Sequence, residues 1–138
     1  MSQYFMVGRR TVWNPATSIA RLFKAQAEMM AAQAGLPSGI GDDPGLDEYQ
    51  IDVPLFTTFV EAVFERWMDT GHPVGRQLTE GFLLNAWALL DNCGGSEPSA
   101  FRPRPHLPQR GQEIHDMWVR HWRALRPEAG VHPAPDED

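Results

Sequence analysis

From Phe82 to Leu90 the chain reads FLLNAWALL, apolar at every position except Asn85. A helix with apolar side chains all round is stable only when covered on every side. This run is therefore the segment around which the rest must pack, with Leu83 and Trp87 as core residues. Thr70-Gly71-His72-Pro73 is a break before it, and Gly94-Gly95 follows Cys93. The predicted helix runs from Pro73 to Asn92, since proline is pre-organised at a first helical position.

Three further helices are expected. Asn14-Pro15 opens one as N-cap and first residue. Its apolar stripe is Ile19, Leu22, Phe23, Gln26, Met30 and Ala34, with Ala27 beside it, and Gly35 and Pro37 end it. A second opens at Pro54, with Asp52 or Val53 as cap, and carries Phe56, Phe59, Val60, Val63, Phe64 and Trp67 at helical spacing. A fourth, from about Gly111 to Leu125, carries Ile114, Met117, Trp118, His121, Trp122 and Leu125. Gln3–Val7 and Arg10–Trp13 are β-prone runs around a Gly8-Arg9 turn. Residues 35–48 read as a Gly-, Pro- and Asp-rich loop, and Tyr49–Val53 offers a third strand. The fold class is α+β: a small antiparallel sheet of two or three strands with about four helices, mostly helical. The 138 residues suit one domain over 1–126, with a proline-rich linker over 93–110 and a disordered tail over 127–138.

The segments MSQYFMVG, TVWNP, ARLF, GLPSGIG and DEYQIDVPLFTTFVEA resemble a family of small actinobacterial proteins of unknown function. The resemblance covers residues 1–90 and fades beyond Asn92. It implies a bacterial, cytosolic, single-domain protein and assigns no catalytic residue.

The net charge is −6, unevenly placed. Residues 28–91 hold eleven acids against Arg66 and Arg76. An acidic middle argues against tracking a phosphate backbone and suits a basic protein partner. The N-terminus has its charge after its short apolar run, the reverse of a signal peptide. No stretch is long and apolar enough to span a bilayer. Cytoplasm is the expected compartment.

No motif for a cofactor is present. GLPSGIG lacks the Lys-Ser/Thr of a phosphate loop and follows a helix C-terminus, whose dipole repels anions. Asp42, Asp43, Asp47, Glu48 and Asp52 lack calcium-loop spacing. Glu61, Glu65 and Asp69 recur at i, i+4 and i+8, opposite the apolar stripe, where solvent-facing residues belong. His115 and His121 lie on different helical faces and share no metal. No metal site is expected, and lone Cys93 reads as a small residue at a helix end. Arg102 to Pro108 matches R-x-x-P-x-x-P but reads as a stiff linker.

The weak catalytic candidates are His72, in a turn, with Glu65 or Glu80 as its acid. The binding candidates are Trp67, Asn85, Trp87, Trp118, His121 and Trp122, which fall on helices where aromatic side chains form either core or groove. Two function classes follow. One is a non-enzymatic acidic binding or regulatory module that holds a protein partner, the profile of small acidic inhibitors. The other is a small-molecule-binding protein or small enzyme of a bacterial biosynthetic pathway, with an apolar ligand in a Trp-lined pocket between helices. Nucleic-acid and membrane binding are not expected, and the sequence leaves the oligomeric state open.

Overall fold

The computed structural model describes residues 2–43 and 47–93, together with Glu113, Asp116 and Arg120. The order of elements is β1 (Tyr4–Val7), β2 (Arg10–Trp13), α1 (Thr17–Ala34), β3 (Ile40–Asp43), β4 (Glu48–Ile51), α2 (Val53–Asp69) and α3 (Pro73–Asn92). The chain divides into two compact units, and the boundary falls between Phe59 and Val60, inside α2.

The first unit is built on a sheet of four strands, ordered β2-β1-β4-β3. β1 and β2 form the expected hairpin. Gly8 takes φ +61 and Arg9 does not turn left-handed, as in a II′ turn. The sheet is mixed, which corrects the antiparallel expectation. β2 and β3 run in the same direction because α1 carries the chain back between them. β3 therefore enters at the far edge, and β4 folds back between β3 and β1, parallel to β1.

The cross-strand pairs explain why α1 sits as it does. Phe5 faces Trp13 on β2 and Tyr49 on β4, with ring centroids 5.0 Å and 4.8 Å away. Phe23 of α1 meets Phe5 and Trp13 edge-on at 5.8 Å and 5.3 Å. Each aromatic pair adds roughly 0.5–1.5 kcal/mol beyond its buried area. Tyr49 completes the group by donating its hydroxyl to buried Gln3 Oε1 at 2.9 Å.

This anchoring turns α1 away from part of its expected stripe, with Phe23 and Ala27 inside as expected and Ile19 and Leu22 not. The buried residues are Ala20, Phe23, Ala27 and Ala31. Ile19 and Leu22 are exposed, as is Met29. Phe23 must reach the ring cluster, and small alanines on its face allow close approach to the sheet. The start of α1 also differs: Asn14 and Pro15 precede it, and Ala16 is the N-cap, without a side-chain cap. Pro15's carbonyl accepts the Gln3 N–H at 3.1 Å, and Ser2 bridges Ala16. The sheet thus claims these residues before the helix can. The C-terminus is as expected. Gly35 is left-handed at φ +71, and the Leu36 and Gly35 N–H groups bond Ala31 and Ala32, a Schellman motif.

β3 lies within the segment read as loop. Ile40-Gly41-Asp42-Asp43 has little strand propensity, and its pairing with β4 overrides that.

In the second unit, Val60, Val63, Phe64 and Trp67 of α2 are buried, as are Phe82, Leu83, Ala86, Trp87 and Leu90 of α3. The bounds of α3 match those expected. Arg76 closes the end of α2. Its Nε and Nη2 donate to the carbonyls of Thr70 and Met68 at 2.9 Å and 3.0 Å, and its guanidinium lies 4.9 Å from the Trp67 ring. Cys93 is buried at the end of α3.

Three helices are complete among the described residues, where about four were expected. Glu113, Asp116 and Arg120 are helical and exposed, at the spacing of one polar face. The rest of the proposed fourth helix, the 93–110 linker beyond Cys93 and the 127–138 tail lie outside the described residues. Among the described residues, no helix is long and apolar enough to cross a membrane.

Candidate binding cleft beside strand β3

The polar framework of the first unit starts from an i, i+4 pair on α1. Lys24 Nζ lies 2.8 Å from Glu28 Oε2 and 3.3 Å from Asp42 Oδ1 on β3. Ser38, buried in the loop between α1 and β3, donates to Glu28 Oε2 at 2.7 Å and accepts the Ile40 N–H at 3.1 Å. One cation and one hydroxyl thus tie helix, loop and edge strand together.

Burial alone would lower the Lys24 pKa. The hydrogen bond and charge of Glu28, with Asp42, outweigh it and hold the ammonium above the usual lysine value. Burial likewise pushes Glu28 up, but the bonds from Lys24 and Ser38 and the Lys24 charge win, and its carboxyl sits below the usual range. Both groups are ionised at neutral pH.

The loop is pressed against the start of α2. Gly39 takes φ +81, and a Cβ there would fall 2.4 Å from the Phe56 nitrogen. Its carbonyl accepts the Asp52 N–H at 2.8 Å. Asp52 in turn caps α2, accepting the Leu55 N–H at 3.1 Å on Oδ1. Of the two caps the sequence allowed, Asp52 is the one used.

These elements border a cleft of about 490 Å³. Its lining mixes Glu28, Ser38, Gln50 and Asp52 with Ile40, Ile51 and Leu55. Lys24 already holds Glu28, so Asp52 beside the aliphatic Leu55 is the lining charge that suits a cation on a hydrocarbon stem, the form of an arginine or lysine side chain. The exposed Asp42 and Asp47 lie in the strand and turn beside it.

The residues singled out from sequence lie elsewhere. His72 is exposed, and its Nδ1 accepts the Gly75 N–H at 3.3 Å as the N-cap of α3. Its ring meets no carboxylate among the described residues. Glu65 is exposed and Glu80 half-buried. Trp67 and Trp87 are each 1% exposed, and Phe64 packs against both, at 6.1 Å and 5.2 Å between ring centroids. Asn85 donates to Gly81 O within its own helix at 2.9 Å. Trp118, His121 and Trp122 lie outside the described residues, as does His115. Among the described residues, no cluster of three or more His, Cys, Asp or Glu is arranged to hold a metal. Sequence reasoning passed over Lys24, Glu28 and Ser38. The one available signal was the i, i+4 pairing of the chain's single lysine with Glu28.

The sequence pattern of one protein family matches residues 1–132. The chain belongs to that family, DUF6086, a family of unknown function. The DUF6086 match contains every cleft residue. It also runs well past Asn92, where the resemblance was expected to fade. No curated protein and no solved structure matches the chain.

Proposed function

We propose that this protein is a non-enzymatic, acidic binding module that holds a basic protein partner at the cleft beside β3. The observation that carries this reading is the cleft lining, which sets Glu28 and Asp52 beside Ile40, Ile51 and Leu55. Asp47 and Glu48 extend the negative field around it, and Asp42, paired with Lys24, adds less. An inhibitor of a basic enzyme would use such a surface. The source, on the resemblance of the N-terminal segments, is an actinobacterium, and the compartment is the cytoplasm.

The alternative is a small-molecule binder or small enzyme, and the cleft volume supports it, since ligand sites run roughly 300–1,000 Å³. That cleft is not lined by tryptophan, and Trp67 and Trp87 serve as core.

The test is titration of the labelled protein with an arginine-rich peptide, followed by amide shifts. Shifts should concentrate between Ser38 and Leu55 and weaken with salt. Reversing Asp42, Asp43, Asp47 and Glu48 together should slow association and flatten its salt dependence. Binding that ignores both the reversal and the salt, or shifts confined to other surfaces, would refute the proposal.

A further inference from the structure

Building on the basic partner proposed above, we infer that β3 takes an extended basic segment of that partner as an added strand, held by backbone hydrogen bonds along its outer edge. β3 is an edge of the sheet. The bond from Asp52 N–H to the Gly39 carbonyl, with the register Gly41↔Gln50 and Asp43↔Glu48, fixes the alternation of the antiparallel ladder. Gly41 and Asp43 turn their backbone groups to β4, and Ile40 and Asp42 turn theirs outward. Ser38 Oγ accepts the Ile40 N–H at 3.1 Å. The Ile40 carbonyl and both backbone groups of Asp42 meet no partner among the described residues. An incoming strand satisfies all three of these with its own N–H and carbonyl groups.

Gly41 is an independent sign of close approach. Glycine weakens a strand, and its usual reasons there are a bulge, a sharp bend or the near passage of another group. The β3–β4 register has no bulge, and φ at Gly41 is not positive. A Cβ at Gly41 would meet only Gln50 O, at 3.8 Å. The described chain itself therefore does not require glycine at this position, which borders the cleft.

Charge sets the chemistry of the segment. Lys24 offsets only part of the charge of Glu28, Asp42, Asp47, Glu48 and Asp52 on and beside this edge. A second β3 would bring aspartate against aspartate, which excludes a copy of this chain. Asp42 reaches Lys24 on α1, so its side chain lies on the α1 side of the sheet, with Glu28. Strand residues alternate between faces. A segment with a cation at every second position sets its cations on that side and its other side chains over Gly41.

The probe is a short capped peptide alternating arginine and valine, titrated into the isotope-labelled full chain. Two N-methylated forms are compared, one methylated at the arginines and one at the valines. Only one of these sets of N–H groups faces β3, whichever way the strand runs. One form should therefore bind at least about tenfold more weakly than the unmethylated peptide, and the other within about twofold of it. The Asp42 amide should exchange quickly with water in the free chain and become protected in the complex. Gly41→Val should keep the fold, since a β-branched side chain suits a strand, and should lose affinity several-fold; circular dichroism checks the fold. Equal effects of the two methylations, or an Asp42 amide as open in the complex as in the free chain, would overturn strand addition. Amide shifts persisting between Ser38 and Leu55 in that case would leave the cleft reading standing, whereas no binding of the unmethylated peptide would overturn both.

Discussion

Gly39 is the position where a single methyl group should do most damage to the first unit. Two separate demands meet there. Its φ of +81 costs an L-residue about 1–2 kcal/mol. A Cβ would also sit 2.4 Å from Phe56 N, 2.9 Å from Phe56 Cα and 3.0 Å from Leu55 C. These are backbone atoms of the first turn of α2, so no rotamer change relieves the contact. Either the loop or the helix must move, and overpacking of this kind costs roughly 1–3 kcal/mol. Movement also stretches the 2.8 Å bond from Asp52 N–H to Gly39 O, worth about 1 kcal/mol. Against this, alanine restricts the unfolded chain, a gain of about 0.4–1 kcal/mol. The net expectation for Gly39→Ala is a loss of about 4 kcal/mol, a large part of the roughly 5–15 kcal/mol typical of a domain. Gly8→Ala is the control, because Gly8 has a similar φ of +61 and nothing within 4 Å of a Cβ. It should lose only about 1 kcal/mol. Guanidinium denaturation of the full chain, followed by circular dichroism, measures both. A Gly39→Ala loss no greater than that of Gly8→Ala would refute the close-approach argument.

Further outcomes follow from the same geometry. The depressed Glu28 pKa contributes stability that is present above its unfolded value of about 4.5 and lost as pH falls through the lower folded value. The raised Lys24 pKa contributes stability present below about 10.5 and lost as pH rises through the higher folded value. Thermal melts of Lys24→Met across pH 2–12 should therefore show a flatter profile at both ends, and an unchanged profile would discount the network. Leu83→Ala should cost about 2–5 kcal/mol and Leu84→Ala distinctly less, because Leu83 is fully buried and Leu84 only half-buried. Equal losses in urea melts would place α3 wrongly. His72→Ala should cost about 1 kcal/mol and His72→Asn much less, since asparagine also caps helices. Equal destabilisation by both would show that His72 does more than cap.

Much of this fold was legible where the deciding interactions are local. The bounds of α3, the stripe from Phe56 to Trp67 on α2, the Gly35 stop and the Gly8-Arg9 hairpin all rest on residues within about four positions of one another. Helix caps and turns are satisfied by the chain's own neighbouring backbone, so the residue types announce them. What only the tertiary structure decided involves partners far apart in the chain. Ile40-Gly41-Asp42-Asp43 carries no strand signal and becomes β3 because β4 is there to pair with it. Sequence period identified α1 and put Phe23 and Ala27 inside, but it also put Ile19 and Leu22 there, since Phe5, Trp13 and Tyr49, set side by side by three strands, determine where Phe23 must lie and so how the helix is turned. The same holds for the cleft. Lys24, Glu28, Ser38 and Asp42 are ordinary in sequence and form one network only when α1 and β3 converge, while Asp52 joins the cleft through the Gly39 carbonyl, at a glycine that leaves room for nothing larger.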